Sequence, residues 1–147
     1  PDMALFKFTK GILHGKPIDI YNNGDMWRDF TYVNDLVNAI YLLINVKPGG
    51  AKSRVVNDSL SSIAPFRVVN IGNSDKVRLI DFVEAIEKEL GMEAIRNYMP
   101  MQTGDVPATW ADTSLLKELT GYSPKTPFYK GVREFVEWYK NYYGSTH

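Results

Sequence analysis

The strand-like segments of this chain are few, short and dispersed, and this limits the folds open to it. Alternating or β-branched runs are confined to residues 18–21, 27–31, 66–71 and 95–99, whereas apolar residues at helical spacing mark five segments. Strands with this distribution are typical of the edge of a sheet. We therefore predict an α/β fold that holds edge pieces of a sheet whose centre lies elsewhere.

The N-terminal part is predicted to form a helix and then a hairpin-like pair of strands. The helix covers residues 1–13, and Asp2 is placed to cap its first turn. The strand 18–21, a polar turn and the return strand 27–31 follow. Arg28 is therefore expected near the start of the next helix, where a ligand phosphate could meet it.

A helix is predicted from about residue 33 to residue 46, with Asn34 or Asp35 as its cap. Its apolar residues fall on one face: Leu36, Ala39, Ile40 and Leu43. Residues 47–65 then lack periodicity. We predict that they are disordered or form a surface excursion rather than a lid.

Strands and helices alternate in the rest of the chain. Residues 66–71 predict a strand buried on both faces, and residues 79–90 predict a helix. Asp112 is placed to cap a short helix over 113–119, and a last helix opens at Pro127. The apolar stripe of that last helix is predicted to pack in the core or at an interface. It consists of Phe128, Val132, Phe135, Val136, Tyr139 and Tyr143.

Composition excludes several classes of function. The 17 basic and 17 acidic residues cancel, so the chain has no electrostatic footprint for nucleic acid or an anionic membrane. It has no cysteine and two histidines, which argues against metal sites and histidine-based triads. No signal peptide, lipidation motif or membrane-spanning apolar run is present, which favours a piece of a cytoplasmic protein.

The motifs of common catalytic and cofactor sites are also missing. Gly72 follows a predicted strand but has no second glycine in the register of the G-x-G-x-x-G fingerprint. None of the nine tyrosines has a lysine four residues later. We therefore predict no catalytic, cofactor-binding or metal-binding residue, and interpret the chain as a binding portion without a catalytic centre.

Three side chains have a chemistry that suits a nucleotide. Arg28 suits a phosphate, Asp105 suits a pair of ribose hydroxyls, and Tyr21 offers a ring face for a base or sugar. Each also has a structural alternative. Arg28 could pair with Asp29 or Asp25, Asp105 could hold a turn, and Tyr21 could belong to the core.

Four motifs in fixed order, together with the opening residues, carry a resemblance to a known family. The chain resembles the C-terminal half of the extended short-chain dehydrogenases, most closely NAD-dependent nucleotide-sugar epimerases of the UDP-glucuronate 4-epimerase group. The segments that carry this resemblance are Pro1–Ala4, Lys16–Tyr21, Arg28–Asp35, Asn70–Asn73, Gly104–Thr109 and Tyr122–Pro127.

The resemblance implies the C-terminal part of a Rossmann-type fold, mainly its small α/β substrate-binding domain, without the central parallel sheet. It implies that residues 1–31 and 92–147 bind the sugar nucleotide, and that residues 32–91 complete the NAD domain in relatives. The apolar faces left without partners lead us to expect a homo-oligomer, with swapped elements in the isolated chain.

The resemblance also implies a site. Arg28 would bind the diphosphate of a UDP-sugar, and Asp105 would take the ribose hydroxyls. Gln102 stands where many relatives carry an arginine, and it would hydrogen-bond the nucleotide without adding charge. The uracil would be bordered by Asp19, Ile20 and Tyr21.

The implied reaction is epimerisation of UDP-glucuronate to UDP-galacturonate by oxidation at C4, rotation of the keto sugar and reduction. NAD and a tyrosine base would be supplied by the parent's other half, so the chain alone should be inactive and hold no NAD. A nucleotide-sugar 4,6-dehydratase, a UDP-galactose-type epimerase, a non-catalytic nucleotide-binding module and a purely structural domain remain alternatives.

Overall fold

The computed structural model describes residues 3–49 and 58–144. Within them it contains five α-helices, one 3-10 helix over Tyr21–Gly24 and four short strands. The helices are α1 (Ala4–Leu13), α2 (Val33–Leu43), α3 (Leu79–Leu90), α4 (Ser114–Thr120) and α5 (Phe128–Tyr143). The strands are β1 (Ile18–Ile20), β2 (Trp27–Arg28), β3 (Val77–Arg78) and β4 (Arg96–Tyr98).

The strands form two separate two-stranded sheets, so the predicted hairpin-like pair is wrong. β1 runs parallel to β4, and β2 runs antiparallel to β3. The turn explains the difference, because Asn22 and Asn23 both have left-handed backbone conformations, with φ of 48° and 51°. The Asn23 amide donates to the Met99 carbonyl at 3.0 Å, which keeps the chain beside β4 instead of folding it back onto β1.

The chain divides into two compact units. The first comprises the described residues up to Arg28, then Lys76–Thr109 and the described residues from Pro127 onward. Its core forms where α3 packs against α1 and α5, because each of these helices carries an apolar stripe at helical spacing. The most deeply buried side chains there are Ile12, Ile20, Phe82, Val83, Ile86, Val132 and Val136.

The second unit comprises Asp29–Asp75 and Trp110–Thr126, in which α2 packs against α4. Ala39 and Leu116 are fully buried in it. The Asp35 carboxylate accepts a hydrogen bond from the Tyr122 hydroxyl and another from the Thr126 amide, each at 2.9 Å. Asp35 therefore fixes the segment after α4 and does not cap α2, whose N-cap position is held by Tyr32 without a side-chain cap.

The predicted strand over residues 66–71 is wrong. These residues form no strand, and Phe66 and Val68 are 60% and 58% exposed. A β-branched run needs neighbouring strands to pair with, and the part of the chain that the structure describes offers none here. Contacts between Asp58 and Arg67 and between Ser59 and Val68 hold the segment instead.

The apolar face predicted on α2 exists, but most of it is exposed. Only Ala39 is buried along this helix, whereas Leu36 and Ile40 are 37% and 49% exposed. Val37 and Ile44 extend the same exposed surface. The second unit therefore presents an apolar helix face to solvent.

Most of the other predicted elements are confirmed. The helices predicted over 1–13, 79–90 and from Pro127 appear as α1, α3 and α5, and the strand 95–99 appears as β4. The short helix begins at Ser114, whose amide donates to the Asp112 carboxylate at 3.0 Å, although Thr113 holds the N-cap position. The expected Asp2 cap and residues 50–57 of the predicted loop lie outside the described residues.

The functional division into residues 1–31 with 92–147, and 32–91, stays a prediction, because the compact units describe packing and not ligand binding. None of the helices in residues 3–49 and 58–144 has the length and apolar character needed to cross a membrane.

Candidate functional site

A short parallel bridge builds the site around Arg28. The Trp27 amide donates to the Pro107 carbonyl at 2.8 Å, and the Thr109 amide donates to the Trp27 carbonyl at 3.1 Å. Trp27 and Ala108 are thereby aligned as bridge partners. This bridge brings the irregular segment after Gln102 alongside β2, although the two are distant in sequence.

The bridge places Arg28 and Asp105 in direct contact. Arg28 Nη2 donates to Asp105 Oδ1 at 2.8 Å, and the two side chains are 25% and 33% exposed. Arg28 Nη1 donates to the Trp27 carbonyl at 2.9 Å and to the Pro107 carbonyl at 3.4 Å. The guanidinium is therefore fixed and half-buried, and its ion-pair partner is neither Asp25 nor Asp29.

Asp105 is held by its own segment as well. Its amide donates to the Gln102 carbonyl at 3.2 Å, and its Oδ1 accepts from the Val106 amide at 2.9 Å. Asp105 therefore forms the turn expected as its structural alternative and at the same time faces Arg28. Gln102 is exposed one turn away.

The other predicted residues lie at β1. A cavity of about 370 Å³ is bordered by Tyr21, Asp19 and Lys7 together with apolar residues of α1 and β1. This volume lies within the usual range of small-molecule sites, which is roughly 300–1,000 Å³. Asp19 Oδ1 accepts a hydrogen bond from Asn97 Nδ2 at 2.7 Å, so the carboxylate is anchored beside the cavity.

Ile20 contributes differently from its neighbours. Its side chain is fully buried, and its carbonyl accepts the Met99 amide at 2.9 Å. It is a core residue that fixes the position of Asp19 and Tyr21. Any contact with a ligand would have to come from its main chain.

Lys7 lines the cavity, although no pattern in the sequence predicts a functional role for it. It lies in the polar part of α1, where an exposed lysine is ordinary. Only the packing of α1 beside β1 shows that it borders the same space as Asp19 and Tyr21. Helical spacing alone could not have revealed this.

Asp29 has a structural function within the second unit. Its carboxylate accepts hydrogen bonds from the amides of Asn73, Ser74 and Ala111, at 3.0, 2.9 and 3.2 Å. A Cβ at Gly72 would lie 2.5 Å from the Ala111 Cβ and 2.8 Å from Asp29 Oδ2. Gly72 is therefore required for close packing, and the amides that follow it are already bound to a carboxylate.

This loop does not fit the phosphates of a dinucleotide, because its amides are occupied and it carries a negative charge. Residues 3–49 and 58–144 contain no group of three or more histidine, aspartate or glutamate side chains arranged to hold a metal.

The chain is similar to known proteins over its whole length. Residues 1–57 match the model of the NAD dependent epimerase/dehydratase family. A probable UDP-glucuronate 4-epimerase of Rhizobium meliloti (strain 1021) is 51% identical across 100% of this chain, which covers 44% of that protein. UDP-glucuronate 4-epimerase 1 of Arabidopsis thaliana is 40% identical across 98% of this chain, which covers 34% of that protein.

A solved structure shares the fold. UDP-glucuronic acid 4-epimerase from Bacillus cereus in complex with UDP-glucuronic acid and NAD matches with a TM-score of 0.77 and 26% identity. The match covers 96% of this chain and 40% of that protein. The chain thus spans less than half the length of the relatives it matches, and the structure shows small sheets of a Rossmann-type α/β fold. The chain is thus similar, over a part of their length, to longer proteins of the NAD dependent epimerase/dehydratase type, and its first 57 residues match the model of that family.

Proposed function

We propose that this chain is the UDP-sugar-binding part of an NAD-dependent nucleotide-sugar 4-epimerase that interconverts UDP-glucuronate and UDP-galacturonate. The observation that carries the proposal is the 51% identity, across the whole chain, to a probable UDP-glucuronate 4-epimerase. The Bacillus cereus enzyme with UDP-glucuronic acid and NAD bound supports the same substrate class at lower identity.

The geometry supports the nucleotide part of this proposal. Arg28 is the guanidinium for the diphosphate, because it is fixed by two carbonyls and still partly exposed. Asp105 binds the ribose hydroxyls through Oδ2, which accepts no hydrogen bond from residues 3–49 or 58–144. Gln102 supplies an uncharged contact from the adjacent turn.

The cavity at β1 is the proposed uracil position. Tyr21 supplies a ring face there, and Asp19 lies at its border. In this proposal the main chain of Asp19 and of the neighbouring Ile20 supplies the polar contacts. A cavity bordered by both apolar side chains and a few fixed polar groups suits a pyrimidine ring, which needs stacking and directional hydrogen bonds.

The remaining requirements of the reaction are assigned to the rest of the longer protein. NAD and the catalytic residues belong there in this proposal. The loop at Gly72 supports this for NAD, because the amides of Asn73 and Ser74 are already bound to the Asp29 carboxylate. Residues 1–31 and 92–147 form the substrate-binding part in this proposal, and residues 32–91 complete the cofactor domain. The working enzyme is a homo-oligomer, and the chain alone is inactive.

The test is an assay of the full-length protein that contains this chain. Incubated with UDP-glucuronate and NAD, it should form UDP-galacturonate, detected by proton NMR of the sugar ring, whereas this chain alone should form none. A 4-keto-6-deoxy product would indicate a dehydratase, and conversion of UDP-glucose in preference to UDP-glucuronate would indicate a UDP-galactose-type enzyme. Binding of UDP without any turnover would favour a non-catalytic module.

A further inference from the structure

The ion pair between Arg28 and Asp105 joins the two side chains proposed to bind different parts of the nucleotide. Arg28 Nη2 and Asp105 Oδ1 are 2.8 Å apart, so the carboxylate occupies a donor that a phosphate oxygen would use. The contact is not incidental to a flexible surface. Both side chains have a second anchor, because Arg28 Nη1 donates to two carbonyls and Asp105 Oδ1 also accepts from the Val106 amide.

The charges of this pair oppose the binding of a simple anion. A phosphate that approaches Arg28 meets a carboxylate one hydrogen bond away from the same nitrogen, and like charges at this separation repel strongly when partly desolvated. The side chains are 25% and 33% exposed, so water screens the repulsion only in part. The attraction that Arg28 offers is largely cancelled as long as Asp105 stays in place.

Each side chain keeps unused hydrogen-bonding capacity. Within residues 3–49 and 58–144, Arg28 Nε and Asp105 Oδ2 have no hydrogen-bond partner. A ligand that brings both an anion and neighbouring hydroxyl groups satisfies both side chains, because hydroxyls donate to the carboxylate while the anion accepts from the guanidinium. A ligand with an anion alone satisfies only one of them.

We propose that Asp105 is a specificity-determining residue that keeps free inorganic anions away from Arg28 and admits a diphosphate attached to a ribose diol. This inference rests on the proposed binding of a diphosphate by Arg28 and adds a selection between ligands to it. In this selection the Asp105 carboxylate competes with the ligand phosphate for the Arg28 guanidinium. The carboxylate gives up part of its contact with Arg28 only when ribose hydroxyls donate hydrogen bonds to it instead.

The test is calorimetric titration of the full-length protein and its Asp105→Asn variant with inorganic pyrophosphate, UDP and 2′,3′-dideoxyuridine diphosphate. Asparagine keeps the shape and the acceptor for Val106 but removes the charge. We expect Asp105→Asn to bind pyrophosphate at least about fivefold more tightly, because one repulsive charge is gone. The preference of the protein for UDP over the dideoxy nucleotide should fall in the same variant.

Asp25→Asn is the matched control. Asp25 is exposed, lies three residues before Arg28 and takes part in none of the ion pairs found in the described residues. The Asp25→Asn substitution removes the same charge from the protein. If the effect of Asp105 is local, the pyrophosphate affinity of this control variant should change less than about twofold. An equal gain in both variants would overturn the inference, since net charge alone would then explain it.

The outcomes separate this inference from the proposed function. If Arg28→Ala leaves UDP and pyrophosphate binding unchanged, the phosphate role of Arg28 fails and the inference fails with it. If Arg28→Ala weakens UDP binding but Asp105→Asn shows no tighter pyrophosphate binding, only the selection by Asp105 is wrong. Asp105→Ala serves as a second variant, and thermal melting confirms that each protein is folded.

Discussion

At the scale of single residues, Arg28 is the side chain best placed to meet a phosphate. Its Nη1 donates to two carbonyls, which fix the position of the guanidinium before any ligand arrives. Fixing an arginine in advance lowers the entropy lost on binding, so the proposed contact with a phosphate should retain more of its strength. A strong loss of affinity on its removal is therefore expected.

We predict that Arg28→Ala in the full-length protein weakens UDP binding by about 1.5–3 kcal/mol, the range for hydrogen bonds to charged groups. This corresponds to about tenfold to more than a hundredfold in affinity, measured by calorimetry. The control is Arg133→Ala, which removes an arginine that is 61% exposed and contacts Glu89 at 3.4 Å. Equal losses in the two variants would contradict a direct phosphate contact by Arg28.

A second residue-scale prediction concerns Asp35. Burial raises the pKa of Asp35, but the hydrogen bonds from Thr126 and Tyr122 outweigh it, so the pKa lies below its ordinary value. A group whose pKa is lowered by folding binds its proton more weakly in the folded state than in the unfolded state. Its contribution to stability is therefore complete above the unfolded pKa of about 3.9 and is lost as the pH falls further.

The free energy of unfolding of this chain and of its Asp35→Asn variant should accordingly differ by a constant amount between pH 7 and pH 5. That difference should shrink below about pH 4, where the carboxylate becomes protonated. Urea unfolding followed by circular dichroism at each pH measures it. A difference that grows toward acid pH would show that the charged form of Asp35 is not the stabilising one.

At the scale of elements, α3 shows how a helix terminus is determined locally. Its buried residues follow helical spacing, and it ends at Gly91, which has a left-handed conformation with φ of 68°. The Gly91 amide donates to the Glu87 carbonyl at 2.8 Å, which satisfies a carbonyl in the last turn. The cost of changing Gly91 should arise from the backbone alone, because no atom beyond its two chain neighbours lies within 4 Å of an added Cβ.

Gly91→Ala should therefore lower the free energy of unfolding by about 1 kcal/mol, the cost of a left-handed conformation for a residue with a Cβ. Gly91→Asn should cost less, because asparagine adopts this conformation more readily. Thermal melting of the two variants compares them directly. An asparagine variant no more stable than the alanine variant would contradict this backbone explanation.

At the scale of the whole molecule, the exposed apolar face of α2 is the feature to account for. Val37 and Ile40 of α2 are 57% and 49% exposed, and Ile44, directly after the helix, is 68% exposed. Contiguous apolar surface of this kind rarely stays uncovered in water. This chain covers only 44% of a relative that is 51% identical to it. We propose that, when the chain is isolated, a second copy of it covers the apolar face of α2.

Isolated chain should therefore self-associate, and Ile40→Lys should shift it toward monomer by placing a charge within that face. Sedimentation equilibrium over a range of concentrations measures the effect. Asn141→Lys, which adds the same charge at an exposed position of α5, should leave the association unchanged. A monodisperse monomer of the unaltered chain at all concentrations would contradict self-association.

The sequence by itself determined the helices α1, α3 and α5, because helical spacing and end signals are local properties of the chain. It also indicated Arg28 and Asp105 as separate candidates, because the charge and hydrogen-bonding groups of a side chain are known from its residue type alone. Their roles in nucleotide binding are still predictions, and only their positions are known.

Only the tertiary structure decided which other residues Arg28 and Asp105 contact. Contacts between distant parts of the chain pair β1 with β4 and not with β2. Contacts of the same kind place Arg28 against Asp105, which lies much further along the chain than Asp25 and Asp29. The failure of residues 66–71 to form a strand has the same cause, because a strand requires partners that its own sequence does not contain. Helix formation is settled within a few residues, whereas strand pairing and ion pairing across 77 residues are settled only by the fold.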